Sequence, residues 1–447
     1  MKRPICSILC LLTMLGFGMV FVQGQWHPFK LKPLKGFTTV TAKPVFSFSS
    51  YAQGDYQSQC EQYIKENFGF REFCIRLYNQ FSYSCFRQIN NDNIKEGRNH
   101  ELYLKMYLDE ITGKRLKNDF GSVEKAKTIA QQNLEETLRL IGTLNRHGTE
   151  FLFVFAPSKT WVYPENMPKA YRDHIIDFSL EDYYIQLFKE NHIPHIDFLS
   201  YFKSAKDTVA YPLYPKTGSH WAESTIPMVA DSIYRKMEEI TGYRLPSVKI
   251  MDENITTHYS EPDSELEASM NLLFPLNKPA IPKPVFSLAD TLNADKPNLL
   301  VVSDSYFNQL MQSPFVEAFN HWDDWQYNKT IYSSRKRYNW NQLKREFDAV
   351  VVLQEADIVM ALFTAPMLYD FMFGFAQTSQ ELLEKGYFNE EEAIGIVEEM
   401  ILADSLWYDN VEKKAVELGI SDEECLNLSA RYWLSLQKNK IKKQIRR

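Results

Sequence analysis

Short apolar runs alternate with amphipathic stretches along most of this chain. Four runs are short and continuous enough to predict buried strands: residues 151–155, 193–198, 298–302 and 347–353. Apolar positions recur with helical spacing over residues 56–86, 123–147, 180–191 and 223–242. This alternation predicts an α/β fold, with a parallel sheet as the middle of three layers and helices on both of its faces.

Polar residues follow directly after the predicted strands. They are Ser158 with Lys159, Asp197, Ser305 and Glu355. Because open α/β sheets bind ligands beyond the carboxyl ends of their strands, we expect these residues to share one edge of the sheet. The pattern therefore predicts a single functional site at that edge.

A serine and a histidine in separate loops suggest nucleophilic chemistry. Ser305 stands in a small polar turn after the run 298–302, and His220 stands in a loop with prolines and a glycine over residues 211–221. Serine is a poor nucleophile at neutral pH, and histidine is the usual base that activates it. The backbone N–H of Ser305 or Tyr306 is a candidate oxyanion donor. If the two loops meet in space, the chain is an acyl-transfer or ester-cleaving enzyme.

Composition narrows the functional classes. The chain has 447 residues, 45% hydrophobic and 24% charged, enough for one main domain with additions. A net charge of −7 and a pI near 5.8 argue against a nucleic-acid binder. The cysteines and histidines match no zinc spacing, so we predict neither a metal site nor a cofactor.

The first 24 residues have the pattern of a targeting signal. Lys2 and Arg3 precede an apolar run over residues 5–22, whose length lies between a signal-peptide core and a minimal membrane span. A cleaved signal peptide and an uncleaved signal-anchor both remain open. Either one places the rest of the chain in the periplasm or on the outer face of the cytoplasmic membrane.

The remaining sequence divides into three parts. A proline-containing linker covers residues 25–50, a catalytic domain with N-terminal helices covers residues 51–375, and a helical appendage covers residues 376–447. Within the domain, residues 256–285 are rich in proline and predict a loop-like insertion or lid.

Four motifs follow one another along the chain between about residues 60 and 375. They are Asn-Phe-Gly-Phe-Arg at 67–71 with Asn79, Ile-Lys-Glu-Gly at 94–97 with Leu102 and Tyr103, Lys-Thr-Gly-Ser-His-Trp at 216–221, and Val-Ser-Asp-Ser-Tyr at 302–306. The set resembles the alginate O-acetyltransferase-like proteins, members of the SGNH-hydrolase-like superfamily with a D-x-H-W motif. The resemblance implies an exported O-acetyltransferase that acts on a cell-envelope or secreted polysaccharide. It also implies a membrane-bound acyltransferase partner as the acetyl donor.

Carried over to this sequence, the resemblance makes Ser305 the nucleophile and His220 the general base. Trp221 corresponds to the family's tryptophan beside that base. The candidate substrate contacts are Trp221, Tyr306, Lys159 and Arg335.

Two positions depart from the family pattern. Gly218 stands where the family has the aspartate that orients the histidine, and Ser303 stands where it has a glycine. Loss of the orienting carboxylate in a triad can lower the rate by about 10⁴-fold. Three interpretations remain open: another carboxylate substitutes, with Glu355 the best candidate; a backbone carbonyl orients His220; or catalysis is lost and glycan binding is kept.

Two rival functions therefore accompany the acetyltransferase. A carbohydrate acetyl-esterase would use the same residues in the hydrolytic direction. A catalytically degenerate glycan-binding protein would keep the fold without the turnover.

Overall fold

A mostly parallel six-stranded sheet forms the centre of the protein. The computed structural model describes residues 2–36, 41–289, 295–334, 346–384 and 390–444. The strands are β1 (Ile94–Glu96), β2 (Leu102–Leu104), β3 (Glu150–Ala156), β4 (His195–Asp197), β5 (Ser247–Thr256), β6 (Ile281–Ala289), β7 (Leu299–Ser303), β8 (Trp322–Gln326), β9 (Thr330–Ser333) and β10 (Ile358–Thr364).

Helices surround the strands. They are α1 (Lys2–Trp26), α2 (Phe48–Gln53), α3 (Asp55–Asn67), α4 (Arg71–Phe86), α5 (Lys105–Ile111), α6 (Lys114–Asp119), α7 (Val123–Arg146), α8 (Lys159–Val162), α9 (Lys169–Arg172), α10 (Leu180–Glu190), α11 (Phe198–Ala205), α12 (Ile226–Thr241), α13 (Glu261–Ser269), α14 (Phe307–Met311), α15 (Glu346–Glu355), α16 (Phe375–Glu384), α17 (Glu390–Ala403), α18 (Ser405–Leu418) and α19 (Asp422–Gln444).

The sheet order is β4-β3-β10-β7-β8-β9. Neighbouring strands from β4 to β8 run parallel, and β9 joins β8 antiparallel at the edge. The predicted α/β class with a parallel sheet between helical layers is confirmed, with one antiparallel edge strand in addition. Such an edge strand is common on a sheet of this type.

Side chains of the central strands alternate between two cores. Phe151, Phe153 and Phe155 of β3 pack in one cluster with residues of α7, α10 and α16. Leu152 and Val154 pack in the other cluster with residues of α11 and α12. Because both faces of the sheet are buried at its centre, β3, β7 and β10 are almost entirely apolar and do not alternate with polar residues.

One strand prediction is wrong. Residues 347–353 lie in helix α15. The strand that pairs with β3 and β7 is β10, which begins eleven residues after the start of the predicted strand. A short continuous apolar run fits a buried helix as well as a buried strand, so the pattern alone did not distinguish them.

The segment 256–285 is also more ordered than its prolines predicted. It contains α13 and the first half of β6, and β5 and β6 form an antiparallel hairpin with a register shift between Ile250 and Asp252. Prolines at 282 and 284 are compatible with this pairing because β6 has β5 as its partner in a sheet of two strands, so its other side is an open edge.

Helices α17, α18 and α19 share an apolar cluster of their own, which includes Val397, Ile401, Val411, Ala415 and Leu434. At the other end of the chain, α1 covers the predicted targeting segment. Within the described residues, none of the helices combines the length and the apolar character needed to cross a bilayer.

Glu110 of α5 and Glu181 of α10 are buried carboxyl groups that lie away from the sheet. Glu110 is 2% exposed and accepts a hydrogen bond from the Trp161 indole N–H at 2.9 Å. Burial raises the pKa of Glu110 to about 8, and it raises the pKa of the neighbouring Glu181 well above its usual range. Glu110 is therefore mostly protonated at neutral pH, since burial disfavours the charged carboxylate.

The raised pKa of Glu110 predicts that the protein loses stability as the pH rises from about 5 to about 8. The unfolded carboxyl ionises near pH 4.5 and the folded one near pH 8, so its stabilising contribution is complete below about pH 4.5 and is lost as the pH rises to about 8. We expect Glu110→Gln, which keeps the acceptor for Trp161, to reduce the fall in unfolding free energy between about pH 5 and pH 8 by on the order of 2 kcal/mol. Chemical denaturation at both pH values measures the unfolding free energy and therefore its fall. The exposed Glu190→Gln is the control, and equal slopes in wild type and Glu110→Gln would contradict the assignment.

Candidate active site

The carboxyl ends of the central strands meet at one edge of the sheet. Ser303, the last residue of β7, is in register with Leu362 of β10 and with Gln326 of β8, and Thr364 of β10 is in register with Ala156 of β3. The turns that follow β3, β7 and β8 therefore lie side by side. Ser305 belongs to the turn after β7.

Asp304 fixes the serine turn. Its carboxylate, 2% exposed, accepts hydrogen bonds from the Tyr306 N–H at 2.9 Å, the Thr364 N–H at 2.8 Å and the Thr364 hydroxyl at 2.7 Å. Asp304 thus caps the turn and ties it to β10. The Tyr306 N–H is already used in this way, so it does not serve as the oxyanion donor that the sequence suggested.

Ser303 takes the place of the family glycine without strain. It lies inside β7 in extended backbone, where any residue is tolerated. Its hydroxyl donates to Asp324 Oδ1 at 2.7 Å, and both side chains are buried.

The histidine loop docks on α13 through Thr217. The Thr217 carbonyl accepts from the N–H groups of Leu266 at 3.1 Å and Glu267 at 3.3 Å, and its hydroxyl donates to the Asp263 carbonyl at 2.9 Å. On the opposite side, the Tyr306 hydroxyl donates to the Ser219 carbonyl at 2.6 Å. The loop is therefore held between α13 and the serine turn.

Ser305, His220 and Glu265 form a continuous hydrogen-bonded chain. His220 Nε2 lies 2.9 Å from Ser305 Oγ, and His220 Nδ1 lies 3.1 Å from Glu265 Oε1. The same carboxylate oxygen accepts from the Ser219 N–H at 2.5 Å and the Ser219 hydroxyl at 2.7 Å. Because a carboxylate only accepts, the imidazole proton belongs on Nδ1, which leaves Nε2 free to accept the proton of Ser305.

Gly218 leaves the space that Glu265 occupies. A Cβ atom at position 218 would lie 2.8 Å from Glu265 Oε2, 2.8 Å from Pro215 Cγ and 3.0 Å from the Pro262 carbonyl oxygen. These distances are too short for a real side chain, so a Cβ at position 218 would require Glu265, Pro215 or the backbone at Pro262 to shift. The glycine therefore accompanies a carboxylate that comes from α13 instead of from the histidine loop.

Glu355 is not the orienting carboxylate. It ends α15 and precedes β10, and its backbone carbonyl accepts from the Asn298 side chain at 2.8 Å. Asn298 stands directly before β7, so Glu355 lies at the amino ends of the strands. The error follows from the misplaced strand, since Glu355 was expected after a strand that is in fact a helix.

Trp221, Tyr306 and Lys159 were predicted to contact substrate, and this prediction is wrong because all three side chains are buried. Trp221 and Tyr306 are fully buried, and their rings pack against each other with centroids 5.2 Å apart. Lys159 is 1% exposed, and its ammonium group points into backbone carbonyls. These side chains pack inside the protein next to the site and have no surface that a ligand could contact. Arg335, the remaining candidate, lies outside the described residues.

Two residues of the site were not predicted from the sequence. Glu265 lies in the segment expected to be a loop. Tyr327 directly follows β8 in left-handed backbone with φ 53°, and its N–H donates to the Ser303 carbonyl at 2.7 Å. Burial raises the pKa of the Tyr327 phenol, and hydrogen bonds from Ser305 partly offset this rise. Its position after a strand was the available signal, but the strand itself had not been recognised.

The fold and this geometry define a class of α/β proteins that place a serine and a histidine together beyond the carboxyl ends of a parallel sheet. Residues 116–266 match the model of the SGNH hydrolase-like domain of the acetyltransferase AlgX. The resemblance inferred from the four motifs is thereby confirmed for this region, which is similar to an SGNH hydrolase-like domain of the acetyltransferase type. The matched region includes His220 and Glu265 and ends before Ser305.

Several solved structures are similar to this one at low sequence identity. The O-acetyltransferase domain of Pseudomonas putida AlgJ is 16% identical, with a TM-score of 0.40, over 66% of this chain and 99% of that one. Pseudomonas aeruginosa AlgX is 14% identical, with a TM-score of 0.41, over 67% and 69%. Bacillus cereus PatB1 is 14% identical, with a TM-score of 0.36, over 56% and 93%. No curated protein matches the chain by sequence.

The close approach of Glu265 to position 218 leads to a prediction. We expect Glu265→Ala to lower Ser305-dependent ester turnover by about 10²- to 10⁴-fold, because the imidazole loses its orienting partner. Gly218→Asp alone should also lose activity through the clash with Glu265. The double variant Gly218→Asp with Glu265→Ala should recover part of the loss, limited by the remaining contacts with Pro215 and Pro262. Steady-state kinetics of the three variants provides the measurement.

The matched control is Glu261→Ala, a glutamate on the same helix with a side chain 65% exposed. It should leave turnover near the wild-type value. Wild-type turnover in Glu265→Ala would show that another group orients His220.

Proposed function

We propose that this protein is an exported O-acetyltransferase that carries an acetyl group on Ser305 and transfers it to a hydroxyl group of a polysaccharide. The observation that carries the proposal is the hydrogen-bonded chain from Ser305 through His220 to Glu265. The acetyltransferase class of the matched domain supports the choice of acyl group. The polysaccharide acceptor rests on the resemblance to alginate O-acetyltransferase-like proteins.

The geometry supplies the groups for a two-step transfer. In the first step His220 Nε2 takes the Ser305 proton while Oγ attacks the acetyl carbonyl carbon, and the leaving group departs with that proton as the acetyl-serine forms. In the second step a sugar hydroxyl gives its proton to His220 and attacks the acetyl-serine. Collapse of this adduct releases the acetylated sugar and returns the proton to Ser305.

Glu265 stabilises the charged state in both steps. His220 becomes a cation each time it holds the extra proton, and the carboxylate lies 3.1 Å from Nδ1 on the side away from Ser305. Two hydrogen bonds from Ser219 keep Glu265 Oε1 in place, so the carboxylate need not reorganise as the charge develops. This arrangement favours an active enzyme over a degenerate glycan-binding protein.

The Ser305 role predicts a covalent intermediate. We expect the protein, incubated with an activated acetyl ester, to gain one acetyl group that peptide mapping places on Ser305. Ser305→Ala should show no adduct and His220→Ala a strongly slowed one, whereas Ser204→Ala, an exposed serine on α11, should behave as wild type. A folded wild-type protein with no adduct and no Ser305-dependent turnover would rule out the proposed chemistry.

The same assay distinguishes transfer from hydrolysis. Acetylated oligosaccharide should accumulate at the expense of free acetate when an acceptor is added, since the sugar hydroxyl then competes with water for the acetyl-serine. Acetate release that is unchanged by any acceptor would identify a carbohydrate acetyl-esterase with the same residues.

Export and the source of the acetyl group complete the proposal. Lys2, Arg3 and the apolar run over 5–22 support export by a signal peptide or signal-anchor. The resemblance supports a membrane-bound acyltransferase as the donor of the acetyl group.

Export predicts the behaviour of a reporter fusion. Residues 1–50 joined to a phosphatase that is active only outside the cytoplasm should give phosphatase activity. Replacement of Leu11 and Leu12 by arginine should abolish it, because charges interrupt the apolar run. Activity that survives this change, or none from the unaltered fusion, would contradict export by this segment.

A further inference from the structure

The ammonium group of Lys159 lies inside a cage of oxygen atoms beneath the histidine loop. Lys159 directly follows the turn after β3 and is 1% exposed. Its Nζ lies 2.7 Å from the Pro215 carbonyl oxygen and 3.2 Å from that of Lys216. The carbonyl oxygens of Gly218 at 3.3 Å and Leu102 at 3.2 Å complete the backbone part of the cage.

One carboxylate balances this buried charge. Glu101 Oε2 lies 2.8 Å from Lys159 Nζ, and the ammonium also lies 5.1 Å from the centre of the Tyr103 ring. Burial lowers the pKa of Lys159, whereas the carboxylates of Glu101 and Glu265 act in the opposite direction. A buried lysine with a partner and several acceptors is a built arrangement, because an unpaired buried charge is strongly destabilising.

The cage holds the backbone of the histidine loop. Three of its carbonyl groups come from residues 215, 216 and 218, and their dipoles all point towards one position. Such dipoles repel each other unless a cation lies between them. An ammonium has only three N–H donors for five oxygen atoms, so its positive charge and not only its hydrogen bonds holds them together.

The caged segment leads directly into the candidate active site. Gly218, whose carbonyl belongs to the cage, precedes Ser219, and Ser219 donates two hydrogen bonds to Glu265. His220 follows. A shift of the 215–218 backbone therefore moves both the imidazole and the carboxylate that orients it.

We propose that Lys159 is a positioning residue that holds residues 215–220 so that His220 faces Ser305 on one side and Glu265 on the other. The effect of Lys159 on activity rests on the proposed function, in which Ser305 is the nucleophile. It replaces the substrate contact that the sequence suggested for Lys159, and it predicts that the side chain affects the rate of the chemical step and not the binding of substrate.

The first test removes the charge of Lys159 and keeps the length of its side chain. We expect Lys159→Met to lower kcat for an acetyl ester by about 10²-fold with KM within about twofold, because a misplacement near 1 Å has an effect of this size. Lys203→Met is the matched control, since this lysine is exposed and its ammonium lies over the Trp161 ring, 5.4 Å from the ring centre. An unchanged kcat, or a rise in KM alone, would overturn the proposal, and the latter would favour substrate contact.

The second test restores the charge from solution. Lys159→Ala leaves the oxygen cage with an empty space, and methylammonium should raise its kcat by at least about tenfold by supplying a cation with N–H donors. Tetramethylammonium, which has no N–H group, and sodium chloride at the same ionic strength should have no such effect. Lack of rescue in a folded variant would contradict the role of the ammonium group.

Two further measurements keep the proposal testable if these variants fail. Should neither variant fold, Glu101→Gln keeps the volume of the side chain and removes the balancing charge. We then expect a fall in kcat without a rise in KM, and an unchanged kcat would overturn the proposal. If wild type shows no Ser305-dependent turnover, the proposed function fails. A crystal structure of Lys159→Met or Glu101→Gln then tests the positioning role of Lys159 without any measurement of activity. Residues 215–220 should be displaced, and an unmoved loop would refute the positioning role.

Discussion

Docking of the histidine loop on helix α13 is the contact on which the whole site depends. Thr217 makes three hydrogen bonds to α13, and the absence of a side chain at Gly218 allows the helix to approach closely enough for Glu265 to reach His220. Without this contact the serine turn would still be held, because Asp304 ties it to β10. The histidine, however, would lose the carboxylate that orients it towards Ser305.

The site also depends on how buried charges are balanced. Asp304 is satisfied by three hydrogen bonds, and Lys159 is paired with Glu101 inside a ring of carbonyl groups. Among the described residues no cation is bonded to Glu110, and burial raises its pKa to about 8. The interior thus accommodates ionisable groups in different ways, and the charged ones lie around the histidine loop and the serine turn, where fixed dipoles help catalysis.

Prediction from the sequence succeeded where the signal was local. Ser305 and His220 were proposed as a pair because each stands in a loop that matches a motif of one family, and the structure places their side chains 2.9 Å apart. Glu265 was missed because nothing in its own segment marks it: it becomes important only when α13 packs beside Gly218. Glu355 was chosen because an apolar run was assigned to a strand, although such runs also fit buried helices.

The sequence by itself determined the α/β class, the turn that carries Ser305 and the loop that carries His220, since periodicity and turn residues act over a few positions. Only the tertiary structure decided which carboxylate completes the chain and which side chains face a ligand. The reason is that hydrogen bonding and burial depend on distances between segments far apart along the chain. Lys159, Trp221 and Tyr306 have the chemistry of ligand-binding residues, but packing places them under the site instead of in it.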